Sequence, residues 1–174
     1  MKMVGLVLGI VIGIFIIAIL GLYLYGRSLP ADHTASVSRE YPVSRSLVWK
    51  LITTYPEIPT WWPDVKSIET ETRPDGTVVS WNLDSHGNRI PFITAEEIFE
   101  KKLVRKIASD DLPFGGTWTF ELESTGPSQT RLSIREDGFV KPPLFRAMGQ
   151  LFIGQDTTLK SFASALATKT AAIR

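Results

Sequence analysis

The run Lys141–Arg174, KPPLFRAMGQLFIGQDTTLKSFASALATKTAAIR, closes the sequence and decides how the rest is read. A proline pair opens it, and proline suits the first helical turn because its missing N–H would have no partner there. Leu144, Met148, Leu151, Gln155, Leu159, Phe162 and Leu166 then recur at steps of three and four, which puts them on one stripe. Phe145, Phe152 and Ala163 widen that stripe, while Arg146, Gln150, Asp156, Lys160, Ser164 and Lys169 take the opposite face. One long amphipathic helix is predicted. Its apolar face needs a partner surface of matching length.

That surface is predicted between Ala35 and Asp137, where short strands alternate with turns. Ala35, Val37, Arg39 and Tyr41 alternate with Ser36, Ser38 and Glu40 up to Pro42. Ser44 can cap a short helix with Leu47, Val48, Leu51 and Ile52 on its inner face. Tyr55–Pro63 is too proline-rich to prolong it. Val65–Thr72 and Thr77–Leu83 flank Asp75-Gly76, a hairpin signal, with Val79, Trp81 and Leu83 on one side of the second strand. Arg89–Phe99, Leu103–Ala108, Gly116–Ser124 and Thr130–Asp137 complete the set. Trp118, Phe120 and Leu122 alternate with Thr117, Thr119, Glu121 and Glu123; Leu132 and Ile134 alternate with Arg131, Ser133 and Arg135. One apolar and one polar face define an antiparallel sheet covered on one side only. The fold class is α+β.

The other end is different in kind. Residues 3–25 contain neither charge nor proline, and a helix of ~20 residues crosses a ~30 Å hydrocarbon core. Tyr23 and Tyr25 fall at an interfacial position, and Lys2 and Arg27 flank the segment. A cleaved signal would have an apolar core of roughly 7–15 residues and a small-x-small site. This run is longer, and Leu29-Pro30-Ala31 is a poor site, so an uncleaved single-pass anchor in the cell membrane is expected. Gly5, Gly9 and Gly13 make two overlapping GxxxG steps through which two copies could pair. The flanking charges leave the side of the membrane open. The expected organisation is an anchor over residues 1–27, a tether over 28–34 and a soluble domain over 35–174.

Lys2 and Arg27 apart, 17 Lys and Arg face 18 Asp and Glu. That balance supplies no basic field for nucleic acid. With no cysteine there is no disulfide or thiolate chemistry, and His33 and His86 form no ligand cluster, so no metal or other cofactor is expected.

Tyr55-Pro56 running into Trp61-Trp62-Pro63-Asp64-Val65, then Asp111-Leu112-Pro113-Phe114-Gly115-Gly116-Thr117-Trp118, then Glu136-Asp137-Gly138 leading into Pro142-Pro143-Leu144-Phe145-Arg146 carry a resemblance. The chain resembles the START-like, Bet v 1-like (SRPBCC) superfamily over roughly residues 34–170. Within it, the likeness is to a polyketide cyclase/dehydrase-type branch with an N-terminal membrane anchor. The resemblance implies a helix-grip fold, in which a curved antiparallel sheet wraps a long C-terminal helix and encloses an elongated cavity.

Under that implication Trp81, Phe92, Trp118, Phe120, Met148 and Phe152 would line the cavity, with Trp61, Trp62, Phe114 and Phe139 near its mouth and Gln155 on the helix stripe. Such a lining suits a flat or flexible apolar ligand. Glu136 continues the inward parity of Leu132 and Ile134, and His86 sits in a hairpin turn; these two are the catalytic candidates, without a visible partner group. His33 is expected in the solvated tether. The function this supports is a membrane-anchored, non-catalytic module that binds a hydrophobic small molecule or lipid. The alternatives are a polyketide cyclase/dehydratase-like enzyme using the same cavity and an assembly protein paired through its glycine row.

Overall fold

The computed structural model describes residues 2–173, with helix α1 at Lys2–Ser28 and strand β1 at Asp32–Tyr41. Helix α2 (Arg45–Thr53) and a 3-10 turn (Tyr55–Thr60) follow. Next come β2 (Val65–Thr72), β3 (Val78–Asp84), β4 (Arg89–Ile98), β5 (Lys102–Ile107), β6 (Phe114–Gly126) and β7 (Gln129–Val140). Helix α3 (Pro143–Met148), a π-turn (Gly149–Ile153) and helix α4 (Thr157–Ala171) close the chain. The strands form one antiparallel sheet in the order β1-β7-β6-β5-β4-β3-β2. This is the α+β helix-grip arrangement, with α4 lying across the sheet's inner face.

Alternation fixes which face is inner. On β7, Thr130, Leu132 and Ile134 are buried while Arg131 and Arg135 are exposed, because successive side chains leave a strand on opposite sides. Opposite residues share a face, so Val37 joins Ile134 and Phe120 joins it from the other side. On α4, Leu159, Phe162, Ala163, Leu166 and Thr170 are buried at helical spacing. Phe162 meets Trp62 edge to face at 5.0 Å, Trp61 at 5.3 Å, Phe120 at 5.6 Å and Trp118 at 6.0 Å between centroids. The Tyr41 hydroxyl donates to the Ala163 carbonyl at 3.0 Å. Burial, against the charge of Arg39, pushes that phenol up to about 12, which keeps it a donor. Ser44 caps α2 as expected, its hydroxyl accepting from the Leu47 N–H at 3.4 Å.

Two boundaries differ from the sequence expectation. The terminal helix is not continuous. A π-turn at Gly149–Ile153 ends on Gly154, whose φ of +82° favours glycine, and α4 starts afresh at Thr157. Within this C-terminal run, α4 is the part whose apolar face is buried against the core. Phe145, Met148, Leu151 and Phe152 are 55, 45, 51 and 74% exposed, and Gln155 is exposed too. Helix α3 packs instead against the end of α1, where a Cβ on Gly26 would run into the Pro143 carbonyl and Arg146 Nη1 donates to the Leu29 carbonyl at 2.8 Å. The second difference is the tether. β1 begins at Asp32, so His33 and Thr34 stand in the ladder opposite Gly138 and Asp137.

Helix α1 is long and apolar enough to cross a membrane, and its apolar side chains are exposed. Nothing lies within 4 Å of where a Cβ would stand on Gly5, Gly9 or Gly13.

The break sorts two aromatic residues that share one sequence stripe. Phe162→Ala is expected to cost about 3–5 kcal/mol, whereas Phe152→Ala is expected to stay within about 0.5 kcal/mol, by urea unfolding of the full chain in detergent. Similar losses at both positions would restore a single packed helix.

Candidate functional site: a cavity under the terminal helix

Helix α4 does not fill the concave face. Between it, the inner strands and the α2 segment lies a cavity of about 500 Å³, bounded by Ile52 and Ile58 on one side and Thr158 and Phe162 on another. Its apolar wall is built from Trp62, Phe92, Phe114, Trp118 and Phe120, all named from the sequence. The other six are elsewhere. Trp61 is buried against Phe162, and Met148, Phe152 and Gln155 lie before α4 on exposed surface. Phe139 points to the other side of β7 from Glu136, its ring lying where a Cβ on Gly115 would come within 2.6 Å.

Trp81 fails for a register reason. Ser80 pairs with Phe92 and Asn82 with Ile90, and Phe92, Ile90 and Asn82 all line the cavity. Strand β3 therefore turns its polar set inward, and Trp81 lies beneath the Arg89 guanidinium at 4.6 Å while its indole N–H donates to Glu71. Choosing the apolar side of this strand as the inner one inverts it.

Both catalytic candidates line the cavity. His86 sits on the β3–β4 turn, which Asp84 ties by accepting from the His86 N–H at 2.9 Å and the Asn88 N–H at 2.7 Å. Burial pushes the Asp84 carboxyl up, but the bonds from Asn88 and His86 outweigh it and hold the pKa below the usual value. Asp64 accepts from Ser161 Oγ at 2.6 Å, and Trp62 Nε1 donates to that same oxygen at 3.2 Å, which ties the start of β2 to α4.

Glu136 has a partner that sequence reasoning placed elsewhere. His33 Nε2 lies 3.7 Å from Glu136 Oε1, with both side chains largely buried. Gly138 makes this possible, because a Cβ there would stand 2.9 Å from the His33 ring. The readable signal was Gly138 itself, two residues beyond Glu136 on the strand that pairs with β1. Burial raises the Glu136 pKa above the ordinary carboxylate value, and His33 and the Trp118 indole pull the other way.

A second residue was missed. Arg105 lines the cavity at 8% exposure, between Leu103 and Ile107 on the inward parity of β5. Its guanidinium stacks 4.0 Å from the Tyr55 ring centroid and 5.4 Å from that of Phe92, and Nη2 donates to the Ser80 hydroxyl. An arginine at an inward strand position was the available signal. Burial lowers its pKa, with the Tyr55 phenol offsetting part of the effect, yet a guanidinium stays protonated at any ordinary pH.

The sequence model of the family described as polyketide cyclase / dehydrase and lipid transport matches residues 32–169. The chain belongs to that family. Its members are ligand-binding or polyketide cyclase/dehydrase-like domains. No curated protein matches the sequence. Among solved structures, a START superfamily protein from Mycobacterium smegmatis superposes with a TM-score of 0.60 at 21% identity, over 82% of this chain and 99% of that one. The Zhui aromatase/cyclase from Streptomyces sp. R1128 gives 0.66 at 11% identity, over 82% and 96%. Norcoclaurine synthase from Thalictrum flavum, in complex with dopamine and hydroxybenzaldehyde, gives 0.62 at 13% identity, over 87% and 92%. At such identities the likeness is one of fold.

The raised pKa of Glu136 has a thermodynamic consequence for this family member. The folded state favours the neutral acid, so its contribution is complete below the unfolded value near 4.5 and is lost as pH rises through the folded pKa. Glu136→Gln is therefore expected to melt higher than wild type at pH 7, with the gap closing as pH falls toward 4. A gap that widens on acidification would reverse the assignment.

Proposed function

We propose that this chain is a membrane-anchored, non-catalytic binding domain that holds a hydrophobic small molecule or lipid between its sheet and α4. The observation that carries the reading is the cavity. Its volume of about 500 Å³ falls in the ~300–1,000 Å³ range of small-molecule sites, and its wall is mainly aromatic and aliphatic. Water in such a space is released when an apolar ligand enters, a gain of ~25 cal/mol per Å² of area buried.

The anchor supports the same reading. Helix α1 is free of charge across residues 3–25, and a domain tied to the bilayer samples ligands where they partition. Beyond α1, the exposed row Phe145, Met148, Leu151 and Phe152 continues the apolar surface from α3, which packs against α1. The bilayer interface is the occupant that suits this row, since it lies beside the end of the spanning segment and carries aromatic and aliphatic side chains.

The test is extraction of the full chain, purified in detergent, with organic solvent and mass spectrometry of the extract. An apolar compound near one equivalent is expected, and it should be missing from Ile90→Trp, which fills the cavity. Equal traces from both proteins would remove the binding reading.

One observation favours a second reading, that of a cyclase/dehydratase-like enzyme. Glu136 lines the cavity and His33 Nε2 stands 3.7 Å from its carboxylate, a separation that closing to hydrogen-bond reach would turn into a proton relay to or from a bound polyketide-like substrate. In that case Glu136→Gln removes turnover by at least a hundredfold while the domain still melts cooperatively. Unchanged turnover, or none in wild type, leaves the binding reading alone.

A further inference from the structure

Arg105 holds a buried charge that no carboxylate among the described residues pairs with. Its Nη2 donates to the Ser80 hydroxyl, and its guanidinium plane is stacked by Tyr55 and Phe92. Stacking holds the plane but satisfies no N–H donor, and a guanidinium has five. Its Nε is buried with no hydrogen-bond partner, and Asn82 Oδ1 in the same cavity is likewise unpartnered.

The carboxylates that share the cavity are engaged elsewhere. Asp64 accepts from Ser161, Asp84 accepts from Asn88 and His86, and Glu136 faces His33. Along the ladder, Arg105 stands opposite Trp118 and Trp118 opposite Glu136, so an indole separates the cation from that acid. Among the described residues no carboxylate forms an ion pair with Arg105. A buried charge without a counter-charge costs folding stability. The cost is offset if the counter-charge arrives with the ligand. A planar fork of donors matches the two oxygens of a carboxylate. Arg105 is also the one Lys or Arg lining the cavity among the described residues, which suits a single negative charge better than a doubly charged phosphate monoester.

We infer that the ligand of this cavity is an amphiphilic monocarboxylate, its carboxylate paired with the Arg105 guanidinium and its apolar body lying along Phe92, Trp118 and Phe120. The inference deepens the binding reading and rests on it. Ser80 then acts as a positioning residue that orients the fork, and Tyr55 closes one side of it.

The test compares 2-naphthoate with the uncharged, nearly isosteric 2-naphthamide, titrated calorimetrically into the full chain in detergent micelles with empty micelles subtracted. Wild type is expected to bind the acid at least tenfold more tightly than the amide. Arg105→Met is expected to abolish that preference while still binding the amide, and Arg105→Lys to retain a smaller preference because it keeps the charge and loses the fork. Amide and acid binding equally well to wild type would overturn the carboxylate while leaving the cavity as a binding site, as would a preference that survives Arg105→Met. Binding of neither probe would remove both. The wild-type comparison needs no variant, so a misfolded substitution does not weaken it.

Discussion

Phe162 is where the sheet and the terminal helix become one structure. Its ring meets Trp61, Trp62, Trp118 and Phe120, residues drawn from the turn after α2 and from β6. Aromatic pairs at these distances add to the area they bury, and here a single helix position collects four of them. The geometry also limits what α4 can do. Its 15 residues span ~22 Å at 1.5 Å each, while seven strands at ~4.8 Å spacing make a surface ~29 Å wide. A curved surface wider than its cover leaves unfilled space. The space left over is bounded by Phe162 and Thr158 of α4 together with Ile52 of α2 and Ile58 of the turn after it.

What faces the space is not uniformly apolar. Asn82 and Arg105 come from the inner parities of β3 and β5 and Glu136 from β7, with Ser80 bonded to Arg105 and His33 beside Glu136. Each is a group whose burial costs free energy unless it is hydrogen-bonded or paired. Sites of this kind trade stability for recognition or chemistry. The orphaned Nε of Arg105 and Oδ1 of Asn82 mark where that exchange is least complete, and the His33–Glu136 pair marks where the protein has partly met it internally.

The break at Gly149–Gly154 divides the C-terminal region between two tasks. Before it, α3 packs on the end of α1, and α3 and the π-turn present apolar side chains outward. After it, α4 grips the sheet. A continuous helix would have carried Leu144 and Leu166 on one line and forced both onto the same surface. Glycine with positive φ lets the chain change direction between them.

Much of this was legible in the residues alone. The strand alternation of β6 and β7, the hairpin at Asp75-Gly76, the Ser44 cap and the uncharged length of α1 are local signals, each set by backbone geometry or by composition over a few residues. Glu136 at the cavity followed from parity on β7. The errors share one cause. Helical spacing says which side chains align, not whether a break redirects them, so Met148, Phe152 and Gln155 were grouped with Leu159. Alternation says that a strand has two faces, not which is inner, so Trp81 was assigned the side that Ser80 and Asn82 occupy. Pairing across strands is decided by residues far apart in the chain: Ala35 with Glu136, His33 with Gly138, Arg105 with Trp118. The amino-acid order thus determined the elements and the apolar demand of each. Only the tertiary structure decided which polar groups are enclosed together, because burial and partnership belong to the assembled sheet and to no single strand in it.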